Sequence, residues 1–306
     1  MIRTAAALLA LLVSCLPAIA DEDAVALYRR GEVVIAEATQ ESHRVDGAAL
    51  IARAAALGYA PAQYHLGFLY GQGRGVARDP GKAVAWFRRA AEQGNAEAQY
   101  AVGLSFFNSA DKTEAAAWFR RAADRGLADA QFQLALLYEN GDGIEPNEAE
   151  ARRLYRAAAD KKDAAAMFNL ALMLDQGRGG PPDPEGAVDL YIRAAQASLP
   201  DAMHALCEVL LDGRGVAPDP EKAAGWCHAA AAQGHPPAQM LLATLYALGR
   251  GIAVDEARAV AWLSIAAAQG YPPAVKARDD MLPRLTAEIR SRAAEIAAEL
   301  GAGALR

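Results

Sequence analysis

Cysteine, basic charge and long apolar runs are scarce in this sequence, and each shortage excludes a class of protein. Three cysteines among 306 residues are too few for a small domain held together by disulfides. The formal net charge of −6 is opposite to the basic surface that nucleic-acid binding requires. No strand-like alternation of apolar and polar residues occurs, and no stretch after residue 20 is apolar enough for a membrane helix. We therefore expect no nucleic-acid partner and no transmembrane segment.

Alanine, in contrast, is abundant. It supplies 76 residues, a quarter of the chain. Alanine has the highest helix propensity and is depleted in strands, so the composition indicates an all-α protein.

The first twenty residues have the organisation of a secretory signal peptide. Arg3 precedes an apolar stretch over residues 5–13, and Ala18 and Ala20 form a small-x-small cleavage site. We expect cleavage after Ala20 and a periplasmic or secreted product. In an alternative interpretation, the four residues ending at Cys15 resemble a lipobox, and a lipid on Cys15 would anchor the chain as a lipoprotein.

A segment of 36 residues, shortened to 32 in one copy, recurs along most of the chain. The six full units are 62–97, 98–129, 130–165, 166–201, 202–237 and 238–273. N-terminal helices with a degenerate first repeat are expected over 21–61, and C-terminal capping helices over 274–306. The six repeats favour one continuous array rather than the two domains that chain length alone suggests.

Each unit is predicted to contain two helices. The first has apolar residues at helical spacing and ends at a Gly-x-Gly turn in five of the six units. The second begins at an Asp or Asn suited to capping and ends at a glycine, for which Lys162 and Ser198 stand in twice. The predicted N-caps are Asp79, Asp111, Asn147, Asp183, Asp219 and Asp255.

The motif A-x-x-x-L-G-x-x-Y-x-x-G-x-G-V, followed by D-x-x-K-A-x-x-W-F-x-x-A-A-x-x-G, resembles the Sel1-like repeat (SLR), a relative of the tetratricopeptide repeat. The resemblance implies a superhelical solenoid of antiparallel helix pairs. It also implies a non-enzymatic scaffold for protein–protein interactions, with a regulatory role in the bacterial envelope. As an alternative function, cysteine-rich relatives have been assigned cell-wall or β-lactam hydrolase or penicillin-binding activity. This chain lacks their cysteine pair in every repeat.

The third residue of each unit forms a row on the first helices, which we expect to line a concave face. The row consists of Tyr64, Tyr100, Phe132, Phe168, His204 and Met240. Aromatic and methionine side chains suit the binding of a protein or peptide partner. Alternatively, the row partly packs against the next repeat, because an apolar stripe at helical spacing is usually core.

The fifth unit contains Cys207 and Cys227, twenty residues apart. A disulfide, two reduced core thiols, and a zinc site with His204 and His228 are the three interpretations.

No catalytic residue, cofactor or metal is assigned. Ser109 and Lys112 match the Ser-x-x-Lys of penicillin-recognising enzymes. The partner motifs are absent, however, and the repeat alignment places Ser109 in a turn. We therefore interpret the match as chance.

Overall fold

The computed structural model describes residues 23–303, and side chains as far as Leu300. The predicted signal peptide with its cleavage site after Ala20, and the alternative lipid site at Cys15, lie outside the described residues and stay predictions. Over residues 23–303 the chain has sixteen α-helices, one short 3₁₀ helix and no strand. The predicted all-α fold class is confirmed.

The helices are numbered here in chain order. They are α1 (Ala24–Ala36), α2 (Glu41–Ala56), α3 (Ala60–Gln72), α4 (Pro80–Glu92), α5 (Ala96–Asn108), α6 (Lys112–Asp124), α7 (Ala128–Asn140), α8 (Glu148–Ala159), α9 (Ala164–Gln176), α10 (Pro184–Gln196), α11 (Pro200–Asp212), α12 (Pro220–Ala232), α13 (Pro236–Leu248), α14 (Glu256–Ala268), α15 (Pro272–Met281) and α16 (Ala287–Gly303). The 3₁₀ helix Leu282–Arg284 joins α15 to α16.

Two compact units divide the chain, residues 1–130 and 131–306, and α7 contains the boundary. In the first unit the helices pair as α1 with α2, α3 with α4 and α5 with α6, and α2–α3 and α4–α5 contacts join the pairs. In the second unit α9–α10, α11–α12 and α13–α14 are pairs, joined by α10–α11 and α12–α13 contacts. Each unit is thus a stack in which a helix pair contacts its neighbours along the chain.

The second helix of every repeat begins at a side-chain cap. A carboxylate or amide oxygen accepts a hydrogen bond from the backbone N–H three residues on, at 2.9–3.2 Å. The capping residues are Asp79, Asp111, Asn147, Asp183, Asp219 and Asp255. These are the predicted N-caps, and that prediction is confirmed.

The two glycines of the Gly-x-Gly turn are each required for a different reason, as the last copy shows. Gly249 ends α13 in the left-handed region at φ +68°, where glycine is least strained. Gly251 also has positive φ, and a Cβ there would lie 1.9 Å from the carbonyl oxygen of Pro220 in the preceding repeat. The second glycine therefore allows the turn to approach the start of the previous repeat's second helix.

Small residues mark the closest approach of the two helices in a pair. A Cβ on Gly67 would lie 2.7 Å from the ring of Phe87, and one on Gly103 would lie 2.6 Å from the ring of Phe119. In the second unit the equivalent residues are the buried Ala135, Ala171, Cys207 and Ala243. Recurrent close helix contacts thus account for part of the alanine content.

Turn arginines connect consecutive repeats of the second unit. Arg178 forms an ion pair with Glu139 of the preceding repeat at 2.6 Å, and the hydroxyl of the buried Tyr155 donates to the same carboxylate at 2.7 Å. Arg214 makes the equivalent ion pair with Asp175. Each arginine ties the turn of one repeat to the first helix of the one before.

The pair α1–α2 packs like a complete repeat, whereas the sequence predicts a degenerate first repeat over 21–61. Gly31 lies 36 residues before Gly67, and a Cβ on Gly31 would lie 2.9 Å from the carbonyl oxygen of Gly47. Arg74 donates to the carbonyl oxygen of Ile35 at 3.3 Å, and thus also reaches back 39 residues. We conclude that α1 is the first helix of a complete additional helix pair.

Candidate partner-binding surface

The predicted row of third residues lies on the first helices, with every side chain only partly buried. Four of its rings contact an aromatic ring on the second helix of their own repeat. The centroid distances are 5.6 Å for Tyr64–Phe87, 5.6 Å for Tyr100–Phe119, 5.8 Å for Phe132–Tyr155 and 6.1 Å for Phe168–Tyr191. One side of each ring therefore contributes to packing, while part of it stays accessible. Partner binding by this row stays a prediction.

The row has a further member that the sequence prediction missed. Tyr28 on α1 lies 36 residues before Tyr64 and is likewise partly buried. The 36-residue spacing from Tyr64 is the sequence signal for Tyr28. The signal is weak because the turn between α1 and α2 has no Gly-x-Gly to mark a repeat.

Tyr28 and α3 form an aromatic cleft near the start of the described chain. The cleft has a volume of about 250 Å³ and is lined by Tyr28, Tyr64, His65 and Phe68. Phe68 is 44% exposed, which is unusual for a phenylalanine, and His65 packs edge-on against Tyr28 at 5.8 Å between centroids. An exposed aromatic side chain beside a cleft is typical of a binding surface.

Glu32 places a carboxylate at this cleft. The Tyr28 hydroxyl donates to Glu32 at 2.6 Å, and His65 Nδ1 lies 3.8 Å from the same carboxylate. Burial lowers the pKa of His65, against the opposing effect of Glu32 and with a small contribution from Arg74. Burial, followed by the hydrogen bond to Glu32, raises the pKa of Tyr28. At neutral pH, His65 and Tyr28 are therefore uncharged, and neither neutralises Glu32.

The repeats match a known family model. The Sel1 repeat model matches residues 60–95, 96–127, 128–163, 164–199, 200–235 and 236–271, which together cover more than half of the chain. The chain belongs to the Sel1 repeat family. The resemblance identified from the motif is confirmed.

Two solved structures support the assignment of this Sel1 repeat chain. A protective antigen with an SLR fold, present in uropathogenic Escherichia coli strains, is 27% identical and superposes with a TM-score of 0.82 over 91% of this chain. The match spans 61% of the antigen's own length. A Sel1 repeat protein from Oxalobacter formigenes is 29% identical, with a TM-score of 0.68 over 78% of this chain and 96% of that one. No curated protein matches the chain.

In the fifth Sel1 repeat, two cysteines replace the small residue and the facing aromatic residue that pack together in other repeats. The buried Cys207 and Cys227 have Cα atoms 5.4 Å apart and Sγ atoms 2.11 Å apart, as a disulfide. The histidines of the zinc interpretation contact other rings: His204 lies 5.2 Å from His235, and His228 lies 6.0 Å from Trp262. No group of three or more His, Cys, Asp or Glu side chains with metal-binding geometry occurs within residues 23–303.

His235 is largely buried and forms hydrogen bonds at the start of α13. Its side chain is 15% exposed and caps α13, with Nδ1 accepting from the N–H of Ala238 at 3.2 Å. Nε2 lies 3.2 Å from the carboxylate of Asp201. Asn95 and Asp163 cap first helices of other Sel1 repeats from the same position. The repeat alignment was therefore the signal for this role.

Ser109 lies in the shortened turn of the second Sel1 repeat. Its Oγ donates to the carbonyl oxygen of Phe106 at 2.9 Å, and Lys112 Nζ lies 5.7 Å from the centroid of the Phe107 ring. The intervening Asp111 caps α6. These contacts give each residue of the Ser-x-x-Lys match a role in the turn.

In the described part of the chain, no helix is long and apolar enough to cross a membrane.

Proposed function

We propose that this chain is an exported, non-enzymatic scaffold that holds a protein or peptide partner on its first helices. Sel1 repeat proteins are in general scaffolds for protein–protein interactions. The observation that carries the proposal is the row of partly exposed aromatic rings, repeated at fixed spacing and held in place by ring contacts within each repeat. Preorganised aromatic side chains lose little conformational entropy on binding, and such residues are enriched among interface hot spots.

The export part of the proposal rests on the sequence of residues 1–20. Arg3, the apolar stretch and the site after Ala20 favour a periplasmic or secreted chain, and Cys15 offers a lipoprotein anchor as the alternative. The likeness to a protective antigen supports an envelope location, because antibodies reach antigens outside the cytoplasm. Mass spectrometry of the mature N-terminus distinguishes the two outcomes: Asp21 as first residue, or a lipidated Cys15.

Cross-linking and affinity capture from the native envelope test the scaffold function. We expect a variant with alanine at Tyr100, Phe132 and Phe168 to lose the captured partner while it keeps its helical content. The matched control has alanine at Arg88, Arg120 and Arg156, exposed second-helix residues with the same repeat spacing. Equal capture by both variants would refute binding through the row.

The alternative activity of cysteine-rich relatives is tested with a fluorescent penicillin. Acyl transfer from a β-lactam needs an activated nucleophile. The Ser109 hydroxyl instead donates a hydrogen bond to the carbonyl oxygen of Phe106. We expect no covalent adduct in denaturing gels. An adduct that disappears in the Ser109→Ala variant would instead establish a penicillin-binding protein.

A further inference from the structure

The aromatic cleft of the first unit combines π faces with negative charge. Tyr28, Tyr64 and Phe68 present rings around a volume of about 250 Å³, and Glu32 lies beside Tyr28 and His65. The ring of Tyr64 also experiences the charge of Glu97 on α5, which, after burial, raises the pKa of the phenol. Glu97 on α5 therefore adds negative charge on the side of Tyr64, in addition to Glu32 on α1.

Arg74, whose positive charge contributes to the lowered pKa of His65, does not line the cleft. Arg74 donates to the carbonyl oxygen of Ile35 at 3.3 Å, at the junction of α1 with the α3–α4 turn. Glu32 remains 44% exposed in its side chain, and His65, which burial keeps uncharged, does not neutralise it. A ligand that enters the cleft therefore meets aromatic faces beside the exposed carboxylate of Glu32.

We propose that this cleft binds a cationic side chain, lysine or arginine, of the protein partner. An ammonium or guanidinium group is attracted to the faces of aromatic rings, and a carboxylate at the rim adds charge complementarity. An anionic ligand would be repelled by Glu32, and a purely apolar one would desolvate the carboxylate without supplying an opposite charge. The inference rests on the proposed scaffold function and specifies the chemistry of one contact.

The same first-helix position supplies matched variants. In the next two repeats, leucines Leu104 and Leu136 replace Phe68, and Ala101 and Gln133 replace His65. The cation site is therefore specific to the α1–α3 junction, whereas the row of rings continues along the chain. Phe68→Leu introduces a side chain that this position already accepts elsewhere, so the variant is expected to fold while it loses the π face.

Binding is measured by NMR shifts of the cleft aromatic rings in the full chain. The probes are the tripeptides acetyl-Gly-Lys-Gly-amide and acetyl-Gly-Arg-Gly-amide, with a norleucine tripeptide as the uncharged counterpart. We expect the charged tripeptides to bind more tightly than the norleucine tripeptide, and more weakly as salt is added. Phe68→Leu should weaken binding of the charged probes about two- to fivefold, the range of an exposed cation–π contact.

Glu32→Gln tests the electrostatic part separately. Glutamine still offers an oxygen to the Tyr28 hydroxyl, so packing is retained while the charge is removed. Binding of the charged tripeptides should fall and that of the norleucine tripeptide should not. Glu37→Gln, an exposed substitution at the end of the same helix, should leave all three affinities unchanged.

Equal affinity for the lysine and norleucine tripeptides, or no binding of any probe, would overturn the cation site. Either result would leave the scaffold function standing, because the capture experiment depends on Tyr100, Phe132 and Phe168 instead. Conversely, the variant with alanine at Tyr100, Phe132 and Phe168 could capture the partner as well as its control does, while the lysine tripeptide still binds the cleft. That result would contradict only binding through the row.

Discussion

At the scale of single residues, the repeats differ at the left-handed position that follows each second helix. Gly94, Gly234 and Gly270 follow second helices with positive φ, and Lys162 and Ser198 adopt the same conformation at φ +69° and +65°. A residue with a side chain loses about 1–2 kcal/mol of folding free energy to strain in left-handed backbone. Glycine avoids that strain, and its greater conformational entropy in the unfolded chain costs less. These two residues therefore retain strain that the other repeats avoid.

Lys162→Gly should raise the free energy of unfolding by about 0.5–1 kcal/mol, the difference between the two costs. Urea denaturation measures the change. The reverse substitution, Gly270→Ala, is the control: no atom lies within 4 Å of the added Cβ, so the destabilisation of about 1 kcal/mol would come from backbone strain alone. A stabilising Gly270→Ala would contradict this explanation.

Cys207 and Cys227 are expected to be joined in the exported protein. Protein unfolded without reductant should show no free thiol, and reduction should lower the free energy of unfolding by about 3 kcal/mol for a loop of this length. The chain offers its own matched control in Cys207→Ala with Cys227→Tyr, the pair that Ala135 and Tyr155 form. That variant should be insensitive to reductant. Two titratable thiols in the unfolded wild type would refute the disulfide.

At the scale of helices, buried glutamines join the repeats through backbone carbonyls. Gln239 is 1% exposed; its Nε2 donates to the carbonyl oxygen of Ala231 at 3.1 Å, and its Oε1 accepts from Gln269 at 3.0 Å. Gln63 and Gln99 make the same bond to Ala55 and Ala91. The glutamine gives a second donor to a carbonyl oxygen at the end of the preceding second helix, which also accepts from the backbone N–H of the glycine after that helix.

Gln239→Ala should lower the free energy of unfolding by about 2–3 kcal/mol, because it removes these hydrogen bonds and leaves a cavity. Gln239→Met should cost less, since Met167 and Met203 occupy this position in two repeats, and Gln233 donates to Met203 Sδ at 3.3 Å. Calorimetry of both variants measures the difference. Equal destabilisation would mean that the hydrogen bonds, not the volume, determine the cost.

The sequence predicted those helix features that depend on local chemistry. Asp and Asn caps and Gly-x-Gly turns are recognisable because their side chains, or the absence of one, act on the adjacent backbone. The role of Tyr28 and the capping by His235 were missed, because each depends on a position in the repeat rather than on residue type. The contacts of the row rings with Phe87 and Phe119 required the packing of two helices in three dimensions. Glu32 was missed as well, because its place at the cleft follows from its contacts with Tyr28 and His65, which come from two different helices.

At the scale of the whole molecule, stacked helix pairs need a terminal helix that covers the last apolar face. In the second unit α16 covers α14, and Ala293 shares an apolar cluster with Ala257, Val260 and Leu285. Ala293 is 3% exposed, whereas the next residue, Ala294, is exposed. The two alanines thus form a matched pair on one helix.

Ala293→Glu should detach α16, because a carboxylate without a partner would be buried among alkyl groups, at a cost of several kcal/mol. The exposed face of α14 should then promote self-association, since large apolar patches are rarely left exposed to water. Calorimetry and light scattering measure the two effects, and Ala294→Glu should change neither, as it faces solvent with the same added charge. If Ala293→Glu lowered the melting temperature without self-association, α16 would stabilise α14 but would not shield an apolar face that drives association. If both variants behaved like wild type, α16 would not be the cap of this stack.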